Sequence, residues 1–253
     1  MRIYEICFSP TGGTQKAANV LAHAIADEIS EIDLTNSRFN FQGITLSQDD
    51  ISIIAVPSYG GRVPEPAVSR IMKVHGNGAK AVIVCVYGNR AYEDTLVELL
   101  DAAKQAGFHV VAAVAAIAEH SIARQYAAGR PDARDDKLLC EFGDKIKLRI
   151  ISGKASEPQV PGTRPYKKRG GGGLIPRASK NCTQCGLCAQ KCPVQAISKS
   201  DAKIVDAAKC ISCMRCVAIC PQSARKVNPV MLSAVSAVLK KVCSVRRECE
   251  LYL

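Results

Sequence analysis

Eight cysteines in the last third of the chain have the types and spacing to bind metal. Cys182, Cys185, Cys188 and Cys192 precede Pro193, and Cys210, Cys213, Cys216 and Cys220 precede Pro221, so CxxCxxCxxxCP occurs twice at an offset of 28 residues. Three thiolates two residues apart can curl round three corners of an iron–sulfur cube. The fourth, three residues further on and held away by proline, ligates the other cube in the two-cluster pattern. One four-iron cluster then takes Cys182, Cys185, Cys188 and Cys220, and the second takes Cys210, Cys213, Cys216 and Cys192. Zinc is the rival, because CxxC pairs also suit a tetrahedral ion, but zinc needs neither the third cysteine nor the terminal CP.

A second set of residues lies near the start. Ser9-Pro10-Thr11-Gly12-Gly13-Thr14 places three hydroxyls and a run of backbone N–H groups between an apolar strand pattern and a helix pattern. That combination is an anion cradle at a helix start. It lacks the lysine of GxxxxGK[ST] and is not GxGxxG, so a monophosphate is its natural guest. Two further loops, Pro57-Ser58-Tyr59-Gly60-Gly61 and Tyr87-Gly88-Asn89-Arg90-Ala91-Tyr92, each put tyrosine and glycine just after a strand pattern. There the backbone can approach a flat ligand and an aromatic ring can stack on it. His120 follows a later strand and is a candidate proton donor.

The elements that position these loops alternate in type. Apolar strand patterns cover Arg2 to Ser9, Glu31 to Leu34, Ile51 to Pro57, Lys80 to Tyr87 and His109 to Ala118. Helix patterns start near Thr14 and run over Pro64 to His75, Glu93 to Ala106 and Asp132 to Ile151. This predicts an α/β fold over residues 1–151, a doubly wound five-stranded parallel sheet with ligands at the carboxyl ends of its strands. A basic segment follows over residues 152–179, with four consecutive glycines from Gly170, and is expected to wrap a surface as a linker. The cysteine module covers residues 180–228, and residues 229–253 form a helix from about Val230 to Val242 and a tail that can return to the first domain.

The first 151 residues resemble flavodoxin, whose phosphate loop of the form Ser/Thr-x-Thr-Gly-x-Thr is met by Ser9, Thr11, Gly12 and Thr14. The resemblance implies FMN, with its phosphate on that loop and its ring between the Tyr59 and Tyr87 loops. The chain has no tryptophan, so Tyr59 takes the stacking role in this reading. Residues 180–228 resemble a bacterial-type ferredoxin, a small α+β domain with two [4Fe-4S] clusters, and the two halves echo each other as CPVQAI and CPQSAR. Leu187, Ile197, Ile204, Ile211 and Ile219 are expected around the clusters. Together the halves resemble the flavodoxin–ferredoxin fusions of anaerobes.

Charge divides the chain at the same boundary. Residues 1–151 carry 16 Lys and Arg against 18 Asp and Glu, whereas residues 152–253 carry 18 against 5. Oxidised cubes, at about −2 each with their thiolates, offset part of that excess. The remainder favours acidic redox partners, a soluble ferredoxin or an oxidoreductase, over nucleic acid, for which Lys167, Lys168 and Arg169 would be the phosphate contacts. No apolar run reaches the ~20 residues of a membrane span, and neither an export signal nor a disulfide framework is read, so a cytoplasmic location is expected. Of the other five cysteines, Cys7, Cys85 and Cys140 are expected in the core, while Cys243 and Cys249 follow the last helix. The expected function is one-electron transfer between the clusters and FMN. The alternatives are a flavin-dependent reductase of a small acceptor, with Arg62, Arg90 or His120 on the substrate, and an iron–sulfur carrier with a flavin-free docking domain.

Overall fold

In a computed structural model, which describes residues 2–153, 155–170 and 173–253, strands and helices alternate through the first 151 residues. They are β1 (Ile3–Cys7), α1 (Gly13–Ile25), β2 (Ser30–Asp33), β3 (Ile51–Pro57), α2 (Glu65–Ile71), β4 (Lys80–Tyr87), α3 (Thr95–Gln105), β5 (His109–Ile117) and α4 (Ala133–Ile151). The expected helix from Pro64 to His75 is therefore shorter, and its last residues become turns that carry Val74 into the core. Asp132 caps α4 by accepting the N–H groups of Arg134 and Asp135, satisfying donors that the helix start leaves open.

The cysteine module contributes α5 (Leu187–Gln190), α6 (Arg215–Ala218) and β7 (Arg225–Lys226); the end of the segment expected as linker forms β6 (Arg177–Ala178), which pairs antiparallel with β7, and the chain ends with α7 (Pro229–Cys243) and β8 (Glu250–Tyr252). The sheet order is β2-β1-β3-β4-β5-β8. Its five parallel strands follow the flavodoxin-like order 2-1-3-4-5. The sixth, β8, was not expected and pairs antiparallel with β5, Leu251 opposite Val114. The tail thus covers a sheet edge that would otherwise present unpaired N–H and C=O groups.

Both faces of the sheet are buried. Ile54, Val56 and Ile83 face α2 and α3 with Ala67, Ile71, Leu96 and Leu99, while Ile53, Ala55 and Val84 face α1 and α4 with Leu21, Leu139, Phe142 and Ile146. Such two-sided burial explains the unbroken apolar runs of the central strands. The stripe on α4 includes Leu139 and Phe142 but not Cys140, which is exposed rather than in the core, while Cys7 and Cys85 are buried as expected.

The basic linker lies along the acidic side of α3. Asp94 accepts the N–H groups of Thr163 (2.9 Å) and Lys167 (2.7 Å), Arg164 forms a two-bonded pair with Asp101, and Arg169 meets Glu98 at 2.5 Å. Lys167 also pairs with Glu93. Lys167 and Arg169 are therefore engaged within the chain, which removes two of the three phosphate contacts considered above. Among the described residues no helix is long and apolar enough to cross a membrane.

Candidate functional site

The cradle at the start of α1 is built by one left-handed residue. Gly12 has φ +91°, a conformation that favours glycine, and makes the left-handed turn into α1. The N–H groups of Thr11, Gly12, Gly13 and Thr14 make no hydrogen bond within the described residues. The Ser9 hydroxyl caps the helix by accepting the Gln15 N–H at 2.9 Å. Ser9 thus shapes the cradle instead of lining it.

Beside the cradle is a cavity of about 600 Å³, within the range of small-molecule and cofactor sites. Thr11, Gly13, Thr14, Pro57, Ser58, Tyr59, Gly60, Tyr87, Gly88 and His120 line it, so three loops at neighbouring strand ends converge as expected. The second loop is a hairpin in which Tyr59 and Arg62 exchange backbone hydrogen bonds, with Gly60 and Gly61 at φ +60° and +80°. Positive φ at both central residues is what a type I′ turn requires. Gly61 packs under Glu93, outside the cavity wall. Gly88 lets His120 approach, since a Cβ there would lie 2.6 Å from the His120 ring. The His120 Nδ1 accepts N–H groups from Ile122 (3.2 Å) and Ala123 (3.1 Å), placing the ring proton on Nε2, and burial, aided by Arg90, lowers its pKa. A neutral imidazole with one N–H donor is what the cavity receives.

Asn89, Arg90 and Tyr92, expected at the cofactor, are absent from the cavity wall. The tail claims two of them. The Asn89 amide donates to the carbonyls of Cys243 (2.9 Å) and Val245 (2.8 Å), and the Tyr92 hydroxyl bonds Glu250 and Tyr252. Arg90 pairs with Glu93, and Arg62 pairs with Glu98 at 2.8 Å beneath the Tyr166 ring, so neither is free for a substrate.

The roof of the cavity comes from later in the chain: Arg169, Leu174, Cys210, Ile211, Ser212, Met231 and Val235 are among its residues. Composition and periodicity did not single out Met231 or Val235, whose position depends on α7 folding back over residues more than 100 positions earlier. Burial pushes the Tyr59 phenol well above its ordinary value, and Cys213 adds to the shift. Tyr59 therefore stands protonated between the cavity and the cysteines.

The eight cysteines form two groups. Cys182, Cys185, Cys188 and Cys220 surround one small cavity, and Cys192, Cys210, Cys213 and Cys216 surround another. The backbone repeats with the sequence: Gln184, Gly186 and Gln195 have positive φ, and so do Ser212, Met214 and Ser223, each 28 residues later. Five of these six residues are not glycine, so the loops hold a strained conformation where backbone must turn inward. The Ala196 N–H donates to the Cys192 sulfur and the Ala224 N–H to the Cys220 sulfur, both at 3.3 Å. No three His, Cys, Asp or Glu side chains among the described residues converge closely enough for a single metal ion. Burial pushes the Cys213 and Cys216 thiols up to about 12 each, so metal must displace their protons. Of the apolar residues expected here, Leu187, Ile197 and Ile211 line the cavities, whereas Ile204 is 59% exposed.

Residues 181–225 match the family model described as a 4Fe-4S dicluster domain. Ferredoxin-1 of Chlorobaculum tepidum is 42% identical over 50 residues, covering 17% of this chain and 81% of that protein. The chain belongs to the 4Fe-4S dicluster ferredoxins. A ferredoxin of Chlorobaculum thiosulfatiphilum is 40% identical over 50 residues, with 17% of this chain and 82% of that protein covered. Among solved structures, flavodoxin 1 of Bacillus cereus is similar at 18% identity and a TM-score of 0.43, covering 58% of this chain and 97% of its own. Megasphaera elsdenii flavodoxin is similar at 18% identity and a TM-score of 0.40, covering 56% and 98%. The flavodoxin-like fold rests on the strand order of the sheet. A flavodoxin-like unit joined to a dicluster ferredoxin module is an electron-transfer protein.

Proposed function

We propose that the chain passes single electrons between two [4Fe-4S] clusters and FMN. The observation that carries this reading is a shared wall: Cys210 and Ile211 line both the second cysteine cavity and the large cavity under the cradle. The cluster at Cys192, Cys210, Cys213 and Cys216 would then adjoin the flavin, and the cluster at Cys182, Cys185, Cys188 and Cys220 would be the outer one. FMN, when bound, accepts electrons singly and releases them in pairs, so the pairing converts one-electron into two-electron currency.

The residues divide the work. The N–H groups of Thr11 to Thr14 hold the phosphate, Tyr59 and Tyr87 flank the ring, and His120 offers its Nε2 proton. The ferredoxin module is docked by Arg70, which donates to the carbonyls of Leu34 (2.6 Å) and Pro193, and by Ser37, which donates to the Cys192 carbonyl at 3.3 Å. The division into a sheet domain (1–151), a linker (152–179), a ferredoxin module (180–228) and a closing helix and tail (229–253) belongs to the same proposal. With Lys167 and Arg169 engaged internally, the exposed Lys180, Lys191, Lys199, Lys203 and Lys226 of the module, which form no ion pair among the described residues, are the charges offered to an acidic redox partner.

The test is anaerobic reconstitution with iron, sulfide and flavin measured per chain, followed by rapid mixing with dithionite. About eight irons and one FMN are expected, with flavin bleaching that follows cluster bleaching. Four irons or fewer, or flavin that stays oxidised beside reduced clusters, refutes the reading.

A further inference from the structure

A buried cation with no acid beside it lies against the outer cysteine cavity. Arg225 is 2% exposed, and its guanidinium donates to the carbonyls of Pro176 (3.2 Å) and Ala202 and to the Cys188 sulfur at 3.5 Å. Its Nε has no partner, and no carboxylate among the described residues pairs with it. A buried charge without a counter-charge is costly enough to be rare. Around Arg225 the groups able to supply negative charge are the cysteine sulfurs.

The repeat provides an internal control. Arg225 closes CPQSAR, and the residue at the same place in CPVQAI is Ile197, which lines the other cavity. Arg215 also lines that second cavity, but its guanidinium donates to the carbonyls of Ser9 and Pro10 at 3.4 Å and, among the described residues, makes no hydrogen bond to a sulfur. Equivalent sites in one repeat thus differ by a full charge at sulfur-contact distance.

We propose that Arg225 is the counter-cation of the outer cluster and raises its reduction potential, stabilising an added electron on the cube whose Cys185 is exposed. The net charge beside a cluster and hydrogen bonds to its sulfurs are two of the levers that set the potential. Arg225 supplies both. Reduction adds one electron from an external reductant, such as dithionite or a reduced acidic iron–sulfur protein, and leaves every bond in place. The added negative charge is what the guanidinium favours. Arg225 lines the cavity of the outer set and is absent from the wall of the inner one, so the inner cluster is expected to shift in the same direction by less. This inference rests on the proposed ligand sets, but it is read from the cubes alone and does not require electrons to reach flavin.

The experiment is a potentiometric titration of the anaerobically reconstituted full chain, following each cluster by electron paramagnetic resonance, with Cys185→Ser and Cys213→Ser variants to assign the signals. In Arg225→Met, with iron unchanged, the outer cluster is expected to become at least about ten-fold harder to reduce, 59 mV for one electron, and the inner one to change less. Arg225→Lys, which keeps the charge, is expected to retain most of the potential. An unmoved outer potential at full iron content, or a larger shift at the inner cluster, overturns the proposal. Iron lost from Arg225→Met but kept in Arg225→Lys supports a charge role, and iron lost from both assigns Arg225 to packing and overturns it.

Discussion

The flavodoxin-like sheet and the ferredoxin module meet at one cavity but are held together by different forces. The sheet buries two apolar layers, one on each face, with Ile54, Leu96 and Leu99 on one side and Ile53, Leu21 and Phe142 on the other. Among its described residues the module buries a cluster of Cys188, Ala189, Cys192, Ala196, Ile197 and Ala202 and, outside it, Cys213, Met214 and Ala224; three of these nine are assigned as metal ligands. Its regular structure amounts to two four-residue helices and one two-residue strand, which pairs with β6 just before the module. A core of that size cannot offset the conformational entropy of some 50 residues by itself. One region is specified by packing and the other by ligation.

The widest gap between the two should open when iron is removed. Stripping it with a chelator is expected to abolish amide hydrogen-exchange protection across residues 180–228, while β1, β3, β4 and β5 stay protected. Loss of protection in the central strands as well would mean that the regions fold as one unit.

Single ligands sharpen the contrast within the module. Cys185→Ser and Cys213→Ser should each lower iron from about eight to about four per chain. Only Cys213→Ser is expected to stop flavin bleaching by dithionite-reduced clusters, because Cys213 belongs to the set that adjoins the large cavity. If flavin bleaching survives Cys213→Ser and fails in Cys185→Ser, the inner and outer assignments are reversed.

The same division governs how much was legible in the sequence. Cysteine grouping is local: the spacing within each motif, together with the crossed fourth residue, anticipates both cavities. Alternating elements were legible because two-sided burial writes long apolar runs such as Val82 to Val86. What escaped depends on partners distant in sequence, 36 residues apart for Arg62 and Glu98 and more than 150 for Asn89 and Tyr92 with the tail. Asn89 and Tyr92 have the appearance of loop residues near a flavin until the turn after α7 is seen to need the first and β8 the second, and Arg62 has that of a free cation until Glu98 meets it. Arg225 was visible as a mismatch with Ile197 in the repeat, but only its burial and its contact with Cys188 give the mismatch meaning.

A charge placed in the cradle tests the sheet side alone. Thr11→Asp puts a carboxylate against the expected phosphate, and repulsion there should empty the flavin site while iron stays at about eight per chain. The flavin-to-iron ratio of the purified protein is the measurement. A variant that keeps its flavin would show that the phosphate is held elsewhere.

The smallest expected effect separates the regions by pH. Glu5 on β1 is 1% exposed, faces Gln15 and pairs in register with Glu31 on β2. Burial, reinforced by Glu31, raises its pKa to about 8. The folded chain therefore keeps a proton that the unfolded chain releases near pH 4.3. For a raised carboxyl the stabilising contribution is complete below the unfolded value and declines as pH climbs through the folded one, so the sheet weakens between about pH 4.3 and 8. Glu5→Gln removes that dependence and is expected to gain on the order of 2 kcal/mol by pH 9, with little change near pH 5. Because Gln15 is also the residue capped by Ser9 at the cradle, flavin affinity should fall above pH 8 in the natural chain and hold in the variant, while iron content follows pH alike in both. Parallel stability curves for the two chains would place the titration elsewhere, and iron loss that tracks Glu5 would couple the two regions through the sheet.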